Sequence, residues 1–191
     1  SYELPNRARF RVNIYQTRVG LSAAFRLITE EIRSIKELKL PSIVDYFSRL
    51  SQGFVLVVGP NGHGKSTTMA AIINQINHER AEKIITLEDP IEYLMTPDKS
   101  IIDQRELGSD FVSFQSAIRA TFRENVNAIM VGEMRDYETM SAAVTAAETG
   151  HLVLASLHTN NAAQSIERIV DSFPPAQQPQ VISQLSNTIS G

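Results

Sequence analysis

One glycine-rich loop, flanked by an apolar run and a helical repeat, constrains this fold more than any other feature of the chain. The loop extends from Gly59 to Ser66 with the sequence GPNGHGKS, and the apolar, β-branched run FVLVV at 54–58 precedes it. Residues 65–79 then carry apolar side chains at helical spacing. A buried strand, a tight turn and a helix are therefore predicted in succession, as in an α/β fold.

The residue types in this loop predict phosphate binding. Glycines allow tight turns that bring backbone N–H groups within reach of phosphate oxygens, and a helix N-terminus favours anions. Lys65 would reach the β- and γ-phosphates of ATP, and the Ser66 hydroxyl would ligate Mg²⁺. The alternative, a chance match in a turn, is disfavoured by the flanking strand and helix. The predicted nucleotide contacts are Gly59, Pro60, Asn61, Gly62, His63, Gly64, Lys65, Ser66 and Thr67.

The composition excludes several classes of protein. With 191 residues, 42% of them hydrophobic, the chain can build one α/β core and part of a second domain. A net charge of -3 and a pI of about 5.8 lack the basic excess of a nucleic-acid binder, so no nucleic-acid partner is expected. There is no cysteine for disulfides or thiolate metal sites. No apolar run reaches the length of a membrane span, so no direct membrane insertion is expected, and an ATP-dependent enzyme implies the cytoplasm.

The first 40 residues differ in pattern from the rest. Alternating residues at 9–14, a turn near Gly20 and an apolar segment at 23–28 predict two strands. We interpret residues 1–28 as the end of a preceding domain, the charged stretch 29–40 as a linker, and residues 41–191 as one α/β domain. The chain does not begin with Met and ends inside a predicted helix, so we expect a fragment of a longer protein.

From residue 54 onward, strand-like and helix-like segments alternate, which predicts a parallel sheet flanked by helices. Buried strands are predicted at 83–87, 128–131 and 151–157, and a short extended piece begins at 101–102. Ser109 and Asp110 are expected to cap one helix, and Asp136 another that ends at Gly150. Ligands of such sheets bind at the carboxyl ends of the strands.

Charged side chains follow three of these strands and should meet at that edge. Glu88 and Glu92 lie in the run TLEDPIE, Glu133 ends IMVGE, and His158 ends LASLH. ATP hydrolysis needs one carboxylate to orient or deprotonate water and another to hold the metal. We expect Glu88 to activate water, Glu133 and Glu92 to serve Mg²⁺, and His158 to contact the γ-phosphate. A solvated acidic turn and structural strand-end residues are the alternatives.

Three arginines are candidates for stabilising transferred phosphate. Arg119 and Arg123 are expected on one face of a helix, away from its apolar stripe, and Arg105 follows the extended piece at 101–102. Phosphoryl transfer needs cationic charge beyond the loop lysine, often from a neighbouring subunit. Solvated surface arginines are the alternative.

Four blocks occur together and in order: GPNGHGKST, TLEDPIE, IMVGEMRDYET and LASLHTNNAAQSIERIVDSFP. Together they resemble the secretion and type IV pilus ATPase superfamily, and within it the pilus-retraction ATPases. The resemblance implies a RecA-like P-loop NTPase domain, C-terminally truncated here, after a small α+β PAS-like domain. It also implies a homo-hexameric motor for pilus retraction, cytoplasmic and peripheral at the inner membrane through a pilus platform protein.

The resemblance further implies roles for individual residues. Residues 59–66 match the Walker A loop, 88–92 lie in the aspartate box, Glu133 closes the Walker B motif and His158 marks the histidine box. Arginines that reach nucleotide across the ring match Arg105, Arg119 and Arg123. Arginines of the N-terminal domain that approach the phosphates when the two domains close match Arg18 and Arg26.

One departure from the family pattern keeps other functions open. Family members usually carry Asp-Pro-Asp before the Walker B strand, whereas this chain has Asn125-Val126-Asn127. The two amides would remove negative charge near the site, so a nucleotide-binding scaffold without turnover is one alternative. A pilus-extension or type II/IV secretion ATPase is another, disfavoured by Met134 and the run DSFP. A DNA-dependent RecA-like motor is disfavoured by the acidic pI.

Overall fold

The computed structural model describes residues 2–4, 8–28 and 31–191. Its first sheet is antiparallel and contains β1 (Tyr2–Leu4), β2 (Ala8–Thr17) and β3 (Gly20–Ile28) in that order. The strands β2 and β3 form a hairpin through a turn at residues 18–19, which places Arg11 directly opposite Arg26. The two strands predicted in this region are confirmed.

The second sheet is parallel and has five strands. They are β4 (Gly53–Val58), β5 (Lys83–Glu88), β6 (Ile101–Glu106), β7 (Ala128–Val131) and β8 (Leu152–Leu157), in the spatial order β4-β8-β7-β5-β6. This confirms the predicted parallel sheet, and the short piece at 101–102 opens a full edge strand. The central strands β7 and β8 are buried along their whole length, which explains their continuous apolar sequence.

Helices cover both faces of the parallel sheet. In the described part of the chain these are α1 (Ser42–Phe47), α2 (Lys65–Glu79), α3 (Phe114–Thr121), α4 (Tyr137–Glu148), α5 (Ala162–Ser172) and α6 (Gln178–Thr188), with a 3₁₀ turn at Pro175–Gln177. Phe54 and Val55 of β4 belong to different apolar cores, one beneath α3 to α6 and the other beneath α1 and α2. Successive strand residues point to opposite faces, so one sheet organises both cores.

Among the helices that the structure describes, none combines the length and the hydrophobicity that a membrane span requires.

Local hydrogen bonds decide where the helices begin. The Asp136 side chain accepts a bond from the Thr139 N–H at 2.8 Å and caps α4, as predicted. For α3 the predicted cap at Ser109 and Asp110 is wrong, because Ser113 fills that position. Asp110 instead accepts a bond from the Glu106 N–H at 2.8 Å, in the turn that follows β6.

Residues 31–40 pack against the parallel-sheet domain. Ile35 is buried in the core beneath α2, and Ile32, Leu38 and Leu40 pack against that core. Residues 29 and 30 of the predicted linker lie outside the described residues. The division into 1–28, 29–40 and 41–191 therefore stays a prediction.

The segment from Asn125 to Asn127 lies at the amino edge of the parallel sheet. The Asn127 side-chain oxygen accepts a bond from the Lys83 N–H at 2.9 Å, where β5 begins. Its backbone carbonyl accepts a bond from the Leu152 N–H at 3.0 Å, where β8 begins. The expectation that these amides remove charge near the site is wrong, because β7 runs from them to the opposite edge.

Candidate active site

A cavity of about 650 Å³ opens at the carboxyl edge of the parallel sheet. The glycine-rich loop after β4 and the segments that follow β5, β7 and β8 form much of its wall. As predicted, the topology brings Lys65, Glu88, Glu133 and His158 to one edge. The other predicted residues in the wall are Asn61, Gly62, Gly64, Ser66, Thr67, Glu92 and Arg26.

The glycine-rich loop wraps around the Lys65 side chain. Gly64 precedes α2 with a φ of 82°, a conformation that glycine adopts without a steric penalty. Lys65 is only 9% exposed, and its Nζ donates to the carbonyls of Gly59 at 2.8 Å and Pro60 at 3.1 Å. Burial lowers the pKa of the Lys65 ammonium, and the charge of Glu92 opposes that shift. The α2 N-terminus thus offers free amides and a lysine, which suit phosphate oxygens.

His63 also lies in this loop, on its exposed side. Its Nδ1 is 3.0 Å from the Asn61 carbonyl oxygen, a contact that stays within the loop.

Glu88 is a buried carboxylate at the end of β5. Its Oε1 accepts bonds from the Thr86 hydroxyl at 2.7 Å and the Gln104 amide at 3.2 Å. Burial raises the pKa of the Glu88 carboxyl, and the hydrogen bonds from Thr86 and Gln104 oppose that rise. A carboxylate with a raised pKa is a stronger proton acceptor, which is a property of a general base.

A chain of polar contacts connects the loop to the ends of β7 and β8. Lys65 Nζ lies 3.3 Å from Nδ1 of His158, and Nε2 of the same ring lies 3.5 Å from Oε2 of Glu133. Because an ammonium only donates, Nδ1 accepts and the ring proton of neutral His158 lies on Nε2, facing Glu133. Burial, followed by the charges of Lys65, Arg135 and Arg168, lowers the pKa of His158 and favours this neutral form.

Gly132 sets the spacing between the two catalytic candidates Glu88 and Glu133. Its N–H donates to the Leu87 carbonyl at 2.7 Å. A Cβ at position 132 would lie 3.0 Å from that oxygen and 3.3 Å from Glu88 Cα. Any side chain here would push the ends of β5 and β7 apart, so the close approach of the strands depends on glycine.

Arg135 is a cavity residue that the sequence analysis missed. Its Nε contacts Oε1 of Glu133, and its Nη2 donates to Oε2 at 2.8 Å. The same Nη2 lies 3.9 Å from Oδ2 of Asp89. The signal that could have found it is its position, two residues after Glu133 in the connection to α4.

Two arginines of the hairpin line the same cavity. Arg26 was predicted to approach the site, but Arg11 was missed. Directly opposed residues of an antiparallel pair share one face, so the β2–β3 register brings Arg11 beside Arg26. Arg18 lies in the turn at the end of the hairpin and is exposed.

The remaining predicted arginines lie outside the cavity wall that the described residues form. Arg105 donates to both carboxylate oxygens of Glu124, at 3.2 and 2.6 Å. Arg119 and Arg123 are exposed. Because α3 ends at Thr121, Arg123 lies in the following turn, and the predicted shared helix face is not formed.

The cavity offers oxygen ligands but no protein cage for a metal ion. Ser66, Glu92 and Glu133 line it, and among the described residues no group of three or more His, Cys, Asp or Glu could hold an ion. At nucleotide sites, Mg²⁺ is commonly held by one or two carboxylates together with phosphate oxygens and water. The residues present therefore fit a Mg²⁺ ion that arrives with a nucleotide.

Comparison with known proteins assigns the chain to a family. The family model for Type II/IV secretion system proteins matches residues 2–189. This chain belongs to that family. Within the Type II/IV secretion family, it is 50% identical over 190 residues to a twitching motility protein of Neisseria gonorrhoeae, a match that covers 100% of this chain and 51% of that protein. It is 44% identical over 189 residues to the pilus retraction ATPase PilT of Pseudomonas aeruginosa, covering 99% and 55%.

A solved structure of this secretion family shares the fold. The crystal structure of the pilus retraction motor PilT with bound ADP matches with a TM-score of 0.95 at 48% identity. The match covers 100% of this chain and 55% of that one. The chain thus spans about half the length of the curated relatives it matches.

Proposed function

We propose that this chain is the ATP-hydrolysing part of a hexameric motor that powers type IV pilus retraction and twitching motility. The observation that carries the proposal is the single cavity where Lys65, Glu88, Glu133 and His158 meet the N-terminus of α2. Relatives named for twitching motility and pilus retraction, at 50% and 44% identity, support a retraction motor.

The loop residues Gly59 to Thr67 would bind the phosphates of ATP. Backbone N–H groups at the start of α2 would donate to the phosphate oxygens. Lys65 would exchange the carbonyls of Gly59 and Pro60 for the β- and γ-phosphates. Ser66, Glu133 and Glu92 would hold Mg²⁺, which when bound neutralises charge on the phosphate oxygens.

Glu88 would orient and deprotonate the attacking water. Its raised pKa makes it a better proton acceptor than an ordinary glutamate, and Thr86 and Gln104 fix its orientation. His158 would contact the γ-phosphate as a neutral ring, with its Nε2 proton as the donor. His158 also contacts Lys65 and faces Glu133, so a phosphate that binds His158 would change the contacts of both residues.

The arginines would complete the site from two directions. Arg26, with Arg11 beside it, already faces the cavity, whereas Arg18 would need the hairpin to move. Arg119 and Arg123 are exposed and do not line this cavity, so they would serve the nucleotide of a neighbouring subunit in a closed ring. Arg105 would join them after leaving Glu124.

The use of ATP as substrate suggests the compartment in which the proposed motor would work. A protein that consumes ATP for pilus retraction would work in the cytoplasm, peripheral to the inner membrane. The pilus platform protein would be its membrane partner. The acidic pI of about 5.8 supports a motor without a nucleic-acid track.

The full-length protein tests this proposal. Purified protein should release phosphate from Mg-ATP, and its expression should restore twitching to a piliated strain that lacks its own retraction ATPase. Lys65→Ala protein should do neither. Binding of ATP without phosphate release would identify a scaffold instead. Phosphate release with rescue of a secretion defect, but not of twitching, would identify a secretion ATPase.

A further inference from the structure

Arg135 forms an ion pair with Glu133, the carboxylate that the proposed function assigns to the metal. Its guanidinium contacts both oxygens of Glu133, one from Nε and the other from Nη2 at 2.8 Å. A planar guanidinium that meets both oxygens of a carboxylate forms the strongest common type of side-chain ion pair. In this arrangement both Glu133 oxygens already have a cationic partner, and a metal ion would compete with it.

The two partners of this ion pair are held very differently. The Glu133 side chain is 17% exposed and follows a buried strand, whereas the Arg135 side chain is 66% exposed. The backbone between them is fixed, because Met134 is buried and its N–H donates to the Ser156 carbonyl at 3.1 Å. Arg135 can therefore swing into solvent while Glu133 stays in place.

The cavity wall mixes acidic and basic side chains, and Lys65, Arg11 and Arg26 lie in it together with Arg135. Four carboxylates line the wall, contributed by Glu88, Asp89, Glu92 and Glu133. Of the arginines and lysines that the structure describes in this wall, only Arg135 forms ion pairs with these carboxylates. It contacts Glu133 and lies 3.9 Å from Asp89. Carboxylates that share one site repel one another, and a cation in contact with them offsets that repulsion.

We propose that Arg135 is a placeholder for the divalent cation: it neutralises Glu133 and Asp89 while the site is empty and leaves when metal and nucleotide bind. The inference rests on the proposed nucleotide site and adds a competition within it. Arg135 is thus a positioning residue that acts through Glu133. Its removal should make the metal bind more tightly, the opposite of what loss of a phosphate-binding arginine would do.

The test is a titration of Mn²⁺ into full-length protein held in slight excess over ADP, with free Mn²⁺ measured by electron paramagnetic resonance. For Arg135→Gln, half-saturation should fall to about a third to a tenth of the wild-type Mn²⁺ concentration, as expected when one charge-assisted pair no longer competes. Arg135→Lys keeps the charge but not the two-point contact, so its midpoint should lie between the two. If Arg135→Gln does not fold, the midpoint of Arg135→Lys alone tests the proposal.

Arg168→Gln is the matched control. Arg168 is exposed and donates to the His158 carbonyl at 3.4 Å, so its loss removes the same charge nearby. Its Mn²⁺ midpoint should equal that of the wild type.

The outcomes separate the two proposals. If wild-type protein fails to bind Mn²⁺ and ADP together, the nucleotide site itself is wrong. If wild type binds both, an unchanged or raised midpoint in Arg135→Gln overturns the placeholder alone. An equal fall in Arg168→Gln also overturns it, because general charge would then explain the effect.

Discussion

The carboxyl edge of the parallel sheet and the region around α3 hold their charged side chains in contrasting ways. At the edge, Lys65 and Glu88 are buried and bonded to groups fixed by strand and helix ends. Around α3, Arg119 and Arg123 are exposed. Both regions carry the charges that phosphoryl transfer needs, but only the first has them assembled around a cavity.

In the proposed hexamer, this difference would separate groups that act within their own subunit from groups that act on a neighbour's nucleotide. Buried, bonded groups are preorganised and can act within their own chain. Exposed arginines have no such organisation, and a partner's phosphate would supply it at a ring interface. The comparison therefore predicts large losses from edge substitutions in any assembly state, and losses that depend on the neighbour for the α3 region.

The largest expected effect is that of Lys65→Ala. It should abolish tight Mg-ATP binding or turnover while the protein remains folded, because Lys65 contributes charge to the loop and no apolar packing. Fluorescent-nucleotide titration and phosphate release measure this, with the exposed Lys99→Ala as the control. Normal activity in folded Lys65→Ala protein would show that the carboxyl edge of the sheet is not the nucleotide site.

Neutralising a carboxylate at the edge should separate chemistry from binding. Glu88→Gln and Glu133→Gln should each keep nucleotide affinity within about tenfold and lower turnover at least about a hundredfold, as for loss of a general base or metal ligand. Exposed Glu167→Gln is the control. If Glu88→Gln turns over normally, the roles of Glu88 and Glu133 are to be exchanged, or Glu92 considered.

A smaller effect concerns pH. The Thr86 hydroxyl donates to Glu88 and lowers its pKa, so Thr86→Val should raise that pKa further. Since the base acts only when ionised, turnover is lost as pH falls through this pKa. The acid limb of the kcat profile should therefore move to higher pH in Thr86→Val. If the acid limb of the profile does not move, a group other than Glu88 determines it.

The sequence predicts the edge well because its signals are local. A glycine loop between a strand and a helix needs no distant partner, and parallel strands bring Glu88, Glu133 and His158 together by topology alone. Arg11 was missed because its place depends on the register of the hairpin. Arg135 was missed because its contact with Glu133 depends on how the connection to α4 bends.

Two of the failed predictions each have their own physical reason. Ser109 and Asp110 were chosen as a helix cap because Phe111 fits a helical repeat, but Phe111 packs against Phe114 from before the helix. The family pattern, Asp-Pro-Asp before the Walker B strand, predicts that Asn125 and Asn127 lie near the site, but the buried strand β7 separates Asn127 from Glu133 across the sheet. Sequence distance does not show which edge of a sheet a residue occupies.

Mixing two inactive full-length variants tests the division between the edge and the α3 region most directly. Lys65→Ala chains keep Arg123, and Arg123→Ala chains keep the loop, so a random ring pairs an intact loop with an intact neighbouring arginine at about a quarter of its interfaces. The account predicts that ATPase activity recovers to roughly that fraction of wild type. A confirmed mixed ring as inactive as either variant alone would contradict it.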